Sequence, residues 1–255
     1  MFTHTSVGPL LLSASSWLAE WKDRFYTNFI TDDRYLYLLR GLWMTLKITF
    51  LAVLLGILLG VIAAIVRSTH DKTVEDMRPG FGRFLLKFMN ALVKLYLTVI
   101  RGTPVVVQLM ITYYIIFASS TNQMMVAVLA FGVNSGAYVA EIFRSGIMSI
   151  DNGQLEAGRS LGLNYIQTMI YIIIPQALKN VLPALANEFI VLIKETSVSG
   201  YVGIQDLTRG GDIIRSRTFD AFPPLLAVAG IYLVIVIFFS KLVSILERRL
   251  RNSER

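Results

Sequence analysis

"LWMTLKITFLAVLLGILLGVIAAIV", residues 42–66, contains no charged residue except Lys47. A helix rises about 1.5 Å per residue and the hydrocarbon core of a bilayer is about 30 Å thick, so roughly 20 apolar residues cross a membrane. Lys47 lies near the first end, where a long basic side chain can reach the headgroups. Gly56 and Gly60 have the G-x-x-x-G spacing that lets a second helix approach closely. The stretch therefore predicts a transmembrane helix.

The composition of the whole chain agrees with a membrane protein. Of its 255 residues, 55% are hydrophobic and 16% are charged, against about 25% charged in soluble domains. The absence of cysteine excludes a disulfide framework and a thiolate metal site. A net charge of +7 would suit a nucleic-acid partner, but the basic residues fall mainly between apolar runs, as membrane topology requires. We therefore expect an all-α integral membrane protein with membrane lipid around it and no nucleic-acid partner.

Four further apolar runs predict four more spans. They are residues 105–118 (extended upstream by "ALVKLYLTVI", 91–100), 124–143, 181–204 and 223–246. Residues 1–40 mix aromatic and charged residues, and no Lys or Arg precedes their short apolar run, so they do not resemble a signal peptide. We predict an external, interfacial lead-in over 1–40, in which one weak extra span remains an alternative, then a membrane domain over 41–248 and a basic tail over 249–255.

The distribution of Lys and Arg predicts the orientation. The segment between the first two spans carries Arg67, Lys72, Arg78, Arg83, Lys87 and Lys94, and the tail carries Arg248, Arg249, Arg251 and Arg255. Five spans put both segments on one side, which the positive-inside rule makes cytoplasmic. The N-terminus is then outside and the C-terminus is cytoplasmic. The 205–222 loop is also outside, and its three arginines are balanced by three aspartates.

Several polar residues fall within the predicted spans, where charge is costly and usually functional. Glu188 and Glu195 are seven residues apart, so they share one helix face about 10.5 Å apart along the axis. They either pair structurally, for instance with Lys194, or line a cavity and bind the cationic end of a solute. Other candidate solute ligands are Thr196, Ser197, Ser199, Asn134, Ser135 and Tyr138. The hydroxyl groups of the first three have an alternative role in bonding their own helix carbonyls.

Two more features of the pattern concern helix ends. Gly102 and Pro104 indicate either a break in the second span or a plain helix start. Glu141 is expected to pair with Arg101 or Arg144.

The stretch "LEAGRSLGLNYIQTMIYIIIP", residues 155–175, lies in a predicted cytoplasmic loop. It predicts two short helices around Gly162, with Glu156 early in the first helix, where the helix dipole favours a negative charge. Asn164 helps to form the turn, and Pro175 is expected to end the second helix. Such a projecting pair of helices suits docking into the groove of a partner protein.

These residues resemble the EAA loop of ATP-binding-cassette (ABC) importer permeases. The resemblance rests on Glu156-Ala157-Gly158, then Gly162 and Pro175, with Gly158 where the family usually has alanine. Three further stretches resemble the polar amino acid uptake branch of that family, so that the likeness covers about residues 40–248. They are "RGTPVVVQ" (101–108), "NSGAYVAEIFRSGIMSI" (134–150) and "NEFIVLIKETSVSGYVGIQDL" (187–207).

The resemblance implies a five-span type I ABC importer permease in a bacterial plasma (inner) membrane. A coupling loop of about 151–176 would dock on ABC ATPase subunits, which would hold the ATP and Mg, so that no cofactor is expected on this chain. The other implied partners are an extracytoplasmic solute-binding protein and a second permease, identical or related. The substrate would be a polar, possibly basic, amino acid, since in arginine-type relatives acidic positions matching Glu188 and Glu195 are expected to hold the side-chain charge.

Other functional classes find little support in the chain. The one G-x-S-x-G match, "GRSLG" (158–162), lies in the predicted pair of short helices and not between a strand and a helix, where a nucleophile elbow would require it. H-E-x-x-H does not occur, and the only histidines, His4 and His70, lie outside the predicted spans. No G-x-x-x-x-G-K-[ST] occurs either, so another polypeptide would have to bind ATP. We therefore expect a transport subunit and not an enzyme. The alternatives are an ion-coupled secondary transporter, although we find no clear internal repeat, and a membrane anchor for an ATPase.

Overall fold

The structure is a computed structural model that describes residues 8–252, and every regular segment in that range is helical. The helices are α1 (Gly8–Phe25), α2 (Tyr35–Thr73), α3 (Phe81–Gly102), α4 (Val105–Ile111), α5 (Gln123–Met148), α6 (Asn152–Ser160), α7 (Tyr165–Thr168), α8 (Ile174–Glu195), α9 (Leu207–Thr218) and α10 (Phe222–Asn252). Tighter 3₁₀ turns follow α8 and precede α2, and wider π-helical turns follow α1, α4 and α7.

Four continuous helices and one bent pair are long and apolar enough to cross a membrane. The continuous helices are Tyr35–Thr73, Gln123–Met148, Tyr165–Val202 and Phe222–Leu250, and the pair is Phe81–Gly102 with Val105–Ile116, bent by 109°. These elements correspond to the five predicted spans, and the bend confirms the break that Gly102 and Pro104 indicate. Helix α1 of the lead-in is not among the helices that are long and apolar enough to cross a membrane. The first residues of the lead-in, 1–7, and the end of the tail, 253–255, lie outside the described residues.

Two helices extend beyond the predicted apolar runs. The helix that contains the first run begins at Tyr35, before residue 42, and the helix that contains the fourth begins at Tyr165, before 181. Pro175 does not end a helix, because it occupies the first turn of α8, where its missing N–H costs little. The π-helical turn Met169–Ile173 connects α7 to α8, so the second helix of the predicted loop continues directly into the fourth span.

The centre of the bundle is the contact between α2 and α5. The G-x-x-x-G pair packs there as predicted: Gly56 lies against Ser135 and Gly60 against Val139. A Cβ atom on Gly60 would stand 2.6 Å from Val139 Cβ and 2.9 Å from the backbone nitrogen of Ala140, which is too close for either to accommodate. The close approach therefore depends on the absence of side chains at these glycines.

We expect Gly60→Leu to destabilise the chain by about 1–3 kcal/mol or more, because the α2–α5 contact must open to admit the side chain. Gly230→Leu is the matched control, since nothing lies within 4 Å of a Cβ atom at Gly230 of α10. The measurement is the thermal midpoint of each purified variant in detergent. Equal midpoints for the two variants would contradict the packing described for Gly60.

The loops divide the bundle into two ends. At the end that we call the α9 end, Arg24 pairs with Asp220 at 3.2 Å, and the Leu207 N–H donates to Thr45 Oγ1 at 3.1 Å. At the opposite, α6 end, Lys72 Nζ donates to Asn152 Oδ1 at 3.3 Å. The lead-in therefore shares an end with α9, as five spans require. Which end faces the cytoplasm remains a prediction.

Candidate functional site

The loop at the α6 end begins with a capped helix. Asp151 caps α6, and its Oδ1 accepts a hydrogen bond from Gly153 N at 2.6 Å. Glu156 is exposed and lies in the middle of α6, not early in the helix as predicted; the carboxylate at the start of α6 is that of Asp151. Glu156 and the exposed Ala157 are therefore free to meet a partner.

Gly162 forms the turn between the two short helices, as predicted. Its φ of +81° is the left-handed conformation that ends many helices, and its N–H donates to Arg159 O at 2.9 Å. The Leu163 N–H donates to Gly158 O at 3.1 Å, which completes a Schellman motif. Asn164 then caps α7 in a capping box with Gln167, in which each side chain accepts from the other's backbone N–H at 2.9 Å.

Gly158, the departure from the alanine usual in the family, has a local explanation. A Cβ atom there would stand 2.8 Å from Thr168 Oγ1. Thr168 is fully buried, and its hydroxyl donates to Asn164 O at 3.0 Å, so it has little room to move. The small residue at 158 thus lets α6 fold tightly onto α7.

Two large apolar side chains are exposed on this loop. Leu161 is 77% exposed and Ile166 is 65% exposed, on either side of the Gly162 turn. Ion pairs and hydrogen bonds connect α6 to the end of α2: Arg159 Nη2 lies 3.8 Å from Asp76 Oδ2, in addition to the Lys72–Asn152 bond. The loop is therefore an exposed apolar surface joined to the spans by polar contacts.

The acidic residues of the fourth span occupy different surroundings. Glu188 is only 8% exposed, and its Oε1 accepts a hydrogen bond from Ser135 Oγ of α5 at 2.8 Å. Glu195 is half-buried near the end of α8, and Lys194 is exposed. Among the described residues no ion pair joins Lys194 to either glutamate, so the structural alternative of a Lys–Glu pair is not seen. In the single chain Glu188 is enclosed and does not face an open cavity.

The hydroxyl groups beyond α8 are turned inward. Thr196 Oγ1 donates to Ile193 O at 2.8 Å, and Ser199 Oγ donates to Thr196 O at 2.6 Å. Both side chains are fully buried. For Thr196 and Ser199, the structure therefore agrees with the alternative in which the hydroxyl groups donate to carbonyls of their own helix. Ser197, by contrast, is partly exposed and lines a cavity of about 340 Å³ at the α9 end.

The candidates on α5 contact the broken span. Asn134 Nδ2 donates to Gln108 Oε1 at 2.9 Å, and the Tyr138 ring lies 5.7 Å from the Arg101 guanidinium. Glu141 Oε1 lies 3.7 Å from Arg101 Nη1, and its Oε2 lies 3.9 Å from Arg144 Nη1, so both predicted partners of Glu141 are present.

Gln108 is a functional candidate that the sequence analysis missed. Its Nε2 donates to Ile100 O and to Thr103 Oγ1, each at 2.7 Å, and it lies 3.1 Å from Thr103 O. The carbonyl groups of Ile100 and Thr103 are among those that lose helical partners where α3 ends and the chain bends. The available signal was a lone amide in the apolar run "VVVQLMI", next to a Gly-x-Pro break.

A polar layer therefore crosses the middle of α5. We define it as Gln108, Asn134, Ser135 and Glu188, which come from α4, α5 and α8. Asn134 Oδ1 is buried and has no hydrogen-bond partner among the described residues. Buried polar groups of this kind within a membrane span are expensive, and they usually mark a functional site. Glu195, Thr196 and Ser199 lie nearer the α9 end and do not join this layer.

Asp206 caps α9, with its Oδ1 accepting from Arg209 N at 2.9 Å. The side chain is fully buried outside the spans, and Oδ2 has no hydrogen-bond partner in the described part of the chain. Burial raises the pKa of Asp206 to about 7, although backbone N–H groups and Arg209 favour the charged form.

The raised pKa of Asp206 predicts a pH-dependent stability. Between the unfolded pKa of about 4 and the folded value, the unfolded state loses the proton first, so stability falls as pH rises through that window. We expect Asp206→Asn to remove this fall, because asparagine also caps helices and carries no charge. The measurement is the thermal midpoint at pH 5 and pH 8. Asp212→Asn is the control, since hydrogen bonding to Arg215 holds the pKa of Asp212 below its usual value; a pH slope unchanged in Asp206→Asn would contradict the assignment.

Comparison with known proteins identifies the family. Residues 79–252 match the model of the family described as "Binding-protein-dependent transport system inner membrane component". The putative glutamine transport system permease protein GlnP of Rickettsia prowazekii (strain Madrid E) is 36% identical over 218 residues, which cover 84% of this chain and 93% of that protein. The glutamine transport system permease protein GlnP of Escherichia coli (strain K12) is 40% identical over 167 residues, or 64% of this chain and 76% of the relative.

Two solved structures have similar folds. A crystal structure described as an amino acid ABC transporter with histidines has a TM-score of 0.75 and 43% identity, and the match covers 87% of this chain and 98% of that one. An inward-facing structure of the MetNI methionine ABC transporter has a TM-score of 0.70 over 85% of this chain and 97% of the other. Its 21% identity supports the likeness of fold alone.

Proposed function

The chain belongs to the family of inner membrane components of binding-protein-dependent transport systems, and we propose that it lines the path by which an ATP-driven importer moves a polar amino acid across a bacterial inner membrane. The observation that carries the proposal is that one family match, residues 79–252, contains both the exposed α6–α7 loop and the polar layer. The 43% identity to an amino acid ABC transporter supports the substrate class. Family membership does not favour the ion-coupled alternative.

Coupling to ATP hydrolysis is assigned to the loop at the α6 end, which we place in the cytoplasm. Glu156, Ala157, Leu161 and Ile166 offer an exposed, mixed polar and apolar surface to an ABC ATPase. Gly158 and Gly162 shape that surface, and Pro175 lies where the loop joins the fourth span. Because the helical run from Tyr165 to Val202 is unbroken, it connects the loop directly to Glu188 of the polar layer.

The α9 end would then face outward and receive a solute-binding protein. Phe219 there is 96% exposed, and Arg215 and Arg217 are exposed beside it. An exposed aromatic side chain with flanking arginines is typical of protein interfaces. ATP with Mg on the ATPase subunits, and the loaded binding protein outside, would each favour one state of the assembly and so produce alternating access. A second permease subunit, identical or related, would complete the path.

The substrate contacts are assigned to the polar layer and the fourth span. Glu188 and Glu195 would attract the positive group of the solute, and Asn134, with its unpaired carbonyl oxygen, would accept from an ammonium group. Tyr138, Thr196 and Ser199 would contact the solute only in a state that opens the bundle, since Thr196 and Ser199 are buried here. The narrower hypothesis is a basic amino acid; the relatives named above are glutamine permeases.

Replacing both glutamates tests the narrower hypothesis. We expect Glu188→Gln with Glu195→Gln to weaken uptake of arginine or lysine by roughly 10-fold more than uptake of glutamine, because only the cationic side chain loses a charge partner. The measurement is uptake of each radiolabelled amino acid into vesicles that contain the complete importer. Glu75→Gln is the control, since Glu75 is an exposed carboxylate in the turn after α2. Equal losses for both amino acids would assign the two glutamates to structure.

A further inference from the structure

A cavity of about 600 Å³ separates α8 from α10 at the α6 end. The two helices touch nearer the middle of the bundle, where the rings of Phe189 and Phe239 are 5.1 Å apart. Toward the α6 end the cavity is lined by Lys179, Asn180 and Pro183 of α8 and by Ser244, Glu247 and Arg248 of α10. None of these residues belongs to the coupling loop or to the polar layer.

The charges in this cavity favour an anion. Lys179 and Arg248 make no ion pair with any described residue, although Glu247 also lines the cavity. Ser244 contributes a hydroxyl, and Asn180 contributes an amide whose Nδ2 already donates to Ser149 Oγ at 3.1 Å. Two cations against one carboxylate leave a net positive charge, and a lysine with an arginine is a suitable pair for a phosphate group.

A second cavity of about 440 Å³ continues from the first along α10. The two share Ser244 and Arg248, and the second is also lined by three apolar side chains, Val236, Ile237 and Ile245, and by Ser240. Ile237 is 45% exposed and Ile245 is 51% exposed, so this groove is open at its surface. Lys241 also lines it, and it adds a third cation near the junction. A ligand that fills both cavities needs a negative head and a long apolar chain.

We propose that these joined cavities bind an anionic phospholipid of the cytoplasmic leaflet. The phosphate would lie between Lys179 and Arg248, and one acyl chain would follow the groove of Ile237 and Ile245. Basic pockets between transmembrane helices on the cytoplasmic side are known to hold such headgroups. The leaflet assignment rests on the orientation given under the proposed function. A free anion would leave the groove empty, and an acidic protein surface would not reach the apolar residues of α10.

The site adjoins the coupling element. Lys179 lies on the same continuous helix, Tyr165–Val202, that begins at the α6–α7 loop. A lipid held between Lys179 and Arg248 would fix the spacing of α8 and α10 where α8 receives movement from the loop.

Native mass spectrometry of the complete importer tests the proposal. The complex, with its ATPase subunits, is released from nanodiscs of phosphatidylcholine with or without phosphatidylglycerol. We expect bound phosphatidylglycerol on the original chain and a roughly 30-fold lower retention in Lys179→Gln with Arg248→Gln, from about 1 kcal/mol per basic residue. Arg248→Lys should keep most of the lipid. Arg249→Gln is the matched control, because Arg249 is an exposed neighbour that lines neither cavity.

Four outcomes would overturn the proposal. Equal retention in the double variant and in Arg249→Gln would remove the site. Equal retention of phosphatidylcholine would remove its charge selectivity. Displacement of the lipid by inorganic phosphate would make it a site for a free anion. Loss of the ATPase subunits from the double variant, with lipid retention unchanged, would assign the surface to the ATPase. Because retention is read on the assembled complex in all arms, failure of the proposed transport function would not by itself alter the result.

Discussion

Glu156→Arg is expected to uncouple ATP hydrolysis from transport by at least about 30-fold, while the spans remain inserted. Glu156 is exposed in the middle of α6, so its replacement disturbs no internal contact of the described chain. The arginine would place a positive charge opposite the ATPase groups that bind the carboxylate of Glu156, and the two would repel each other. The interface would also lose the charge pair of Glu156 in a region from which water is excluded. The movement of the ATPase would then no longer reach the helix that begins at Tyr165.

Two rates measured on the same vesicles decide this prediction: ATP hydrolysis and amino acid uptake. Glu75→Arg is the matched control, since Glu75 is another exposed carboxylate at the α6 end but lies outside α6 and α7. We expect Glu75→Arg to keep most of its uptake per ATP hydrolysed. If Glu156→Arg retains the original ratio of uptake to hydrolysis, the docking assignment is wrong.

Gln108→Leu is expected to have the second large effect, on both stability and uptake. The amide satisfies Ile100 O and Thr103 Oγ1 at the 109° bend and accepts from Asn134 Nδ2. Leucine has similar size but removes the partner of Ile100 O and of the buried Asn134 amide, at about 1–3 kcal/mol for each, whereas Thr103 Oγ1 keeps its hydrogen bond to Val99 O. The bend would relax, and the polar layer would lose the partner that orients Asn134. We expect uptake to fall by roughly 10-fold or more.

Gln123→Leu is the matched control for this substitution. Gln123 Nε2 donates to Tyr113 Oη at 3.0 Å, but Gln123 is exposed at the first residue of α5, where water can replace the lost bond. The measurements are the thermal midpoint and the initial rate of uptake at equal amounts of inserted protein. Similar values for the two variants would mean that Gln108 does not support the bend.

The spans and the loop turn were predictable because their causes are local. The apolar run at 42–66 is long enough by itself to specify a transmembrane helix, and Gly162 supplies the positive φ that the turn requires. Pro175 was misjudged because a proline is compatible with a first helical turn, and only the preceding π-helical segment puts it there. The amino acid sequence contains no local sign of that segment.

The candidate site was predictable only in part, because its contacts are distant in sequence. Glu188 could be singled out by its charge within a span, but its partner Ser135 lies 53 residues away. In the sequence, Gln108 is a single polar residue within an apolar run. Only the bend in the folded chain places Ile100 O 2.7 Å from Gln108 Nε2. Likewise, Gly158 in place of alanine becomes intelligible only when Thr168 is seen to fill the space beside it.

The first experiment should be the ATPase activity of the reconstituted importer, with its solute-binding protein, across a panel of amino acids. We predict stimulation by at least one polar amino acid, together with its uptake into the vesicles. Stimulation by arginine, lysine or histidine would support binding of the side-chain charge by Glu188 and Glu195, whereas stimulation by glutamine or other neutral amino acids alone would assign those glutamates to structure. No stimulation by any amino acid, in a complex whose ATPase is active, would contradict the assignment of this chain to amino acid import.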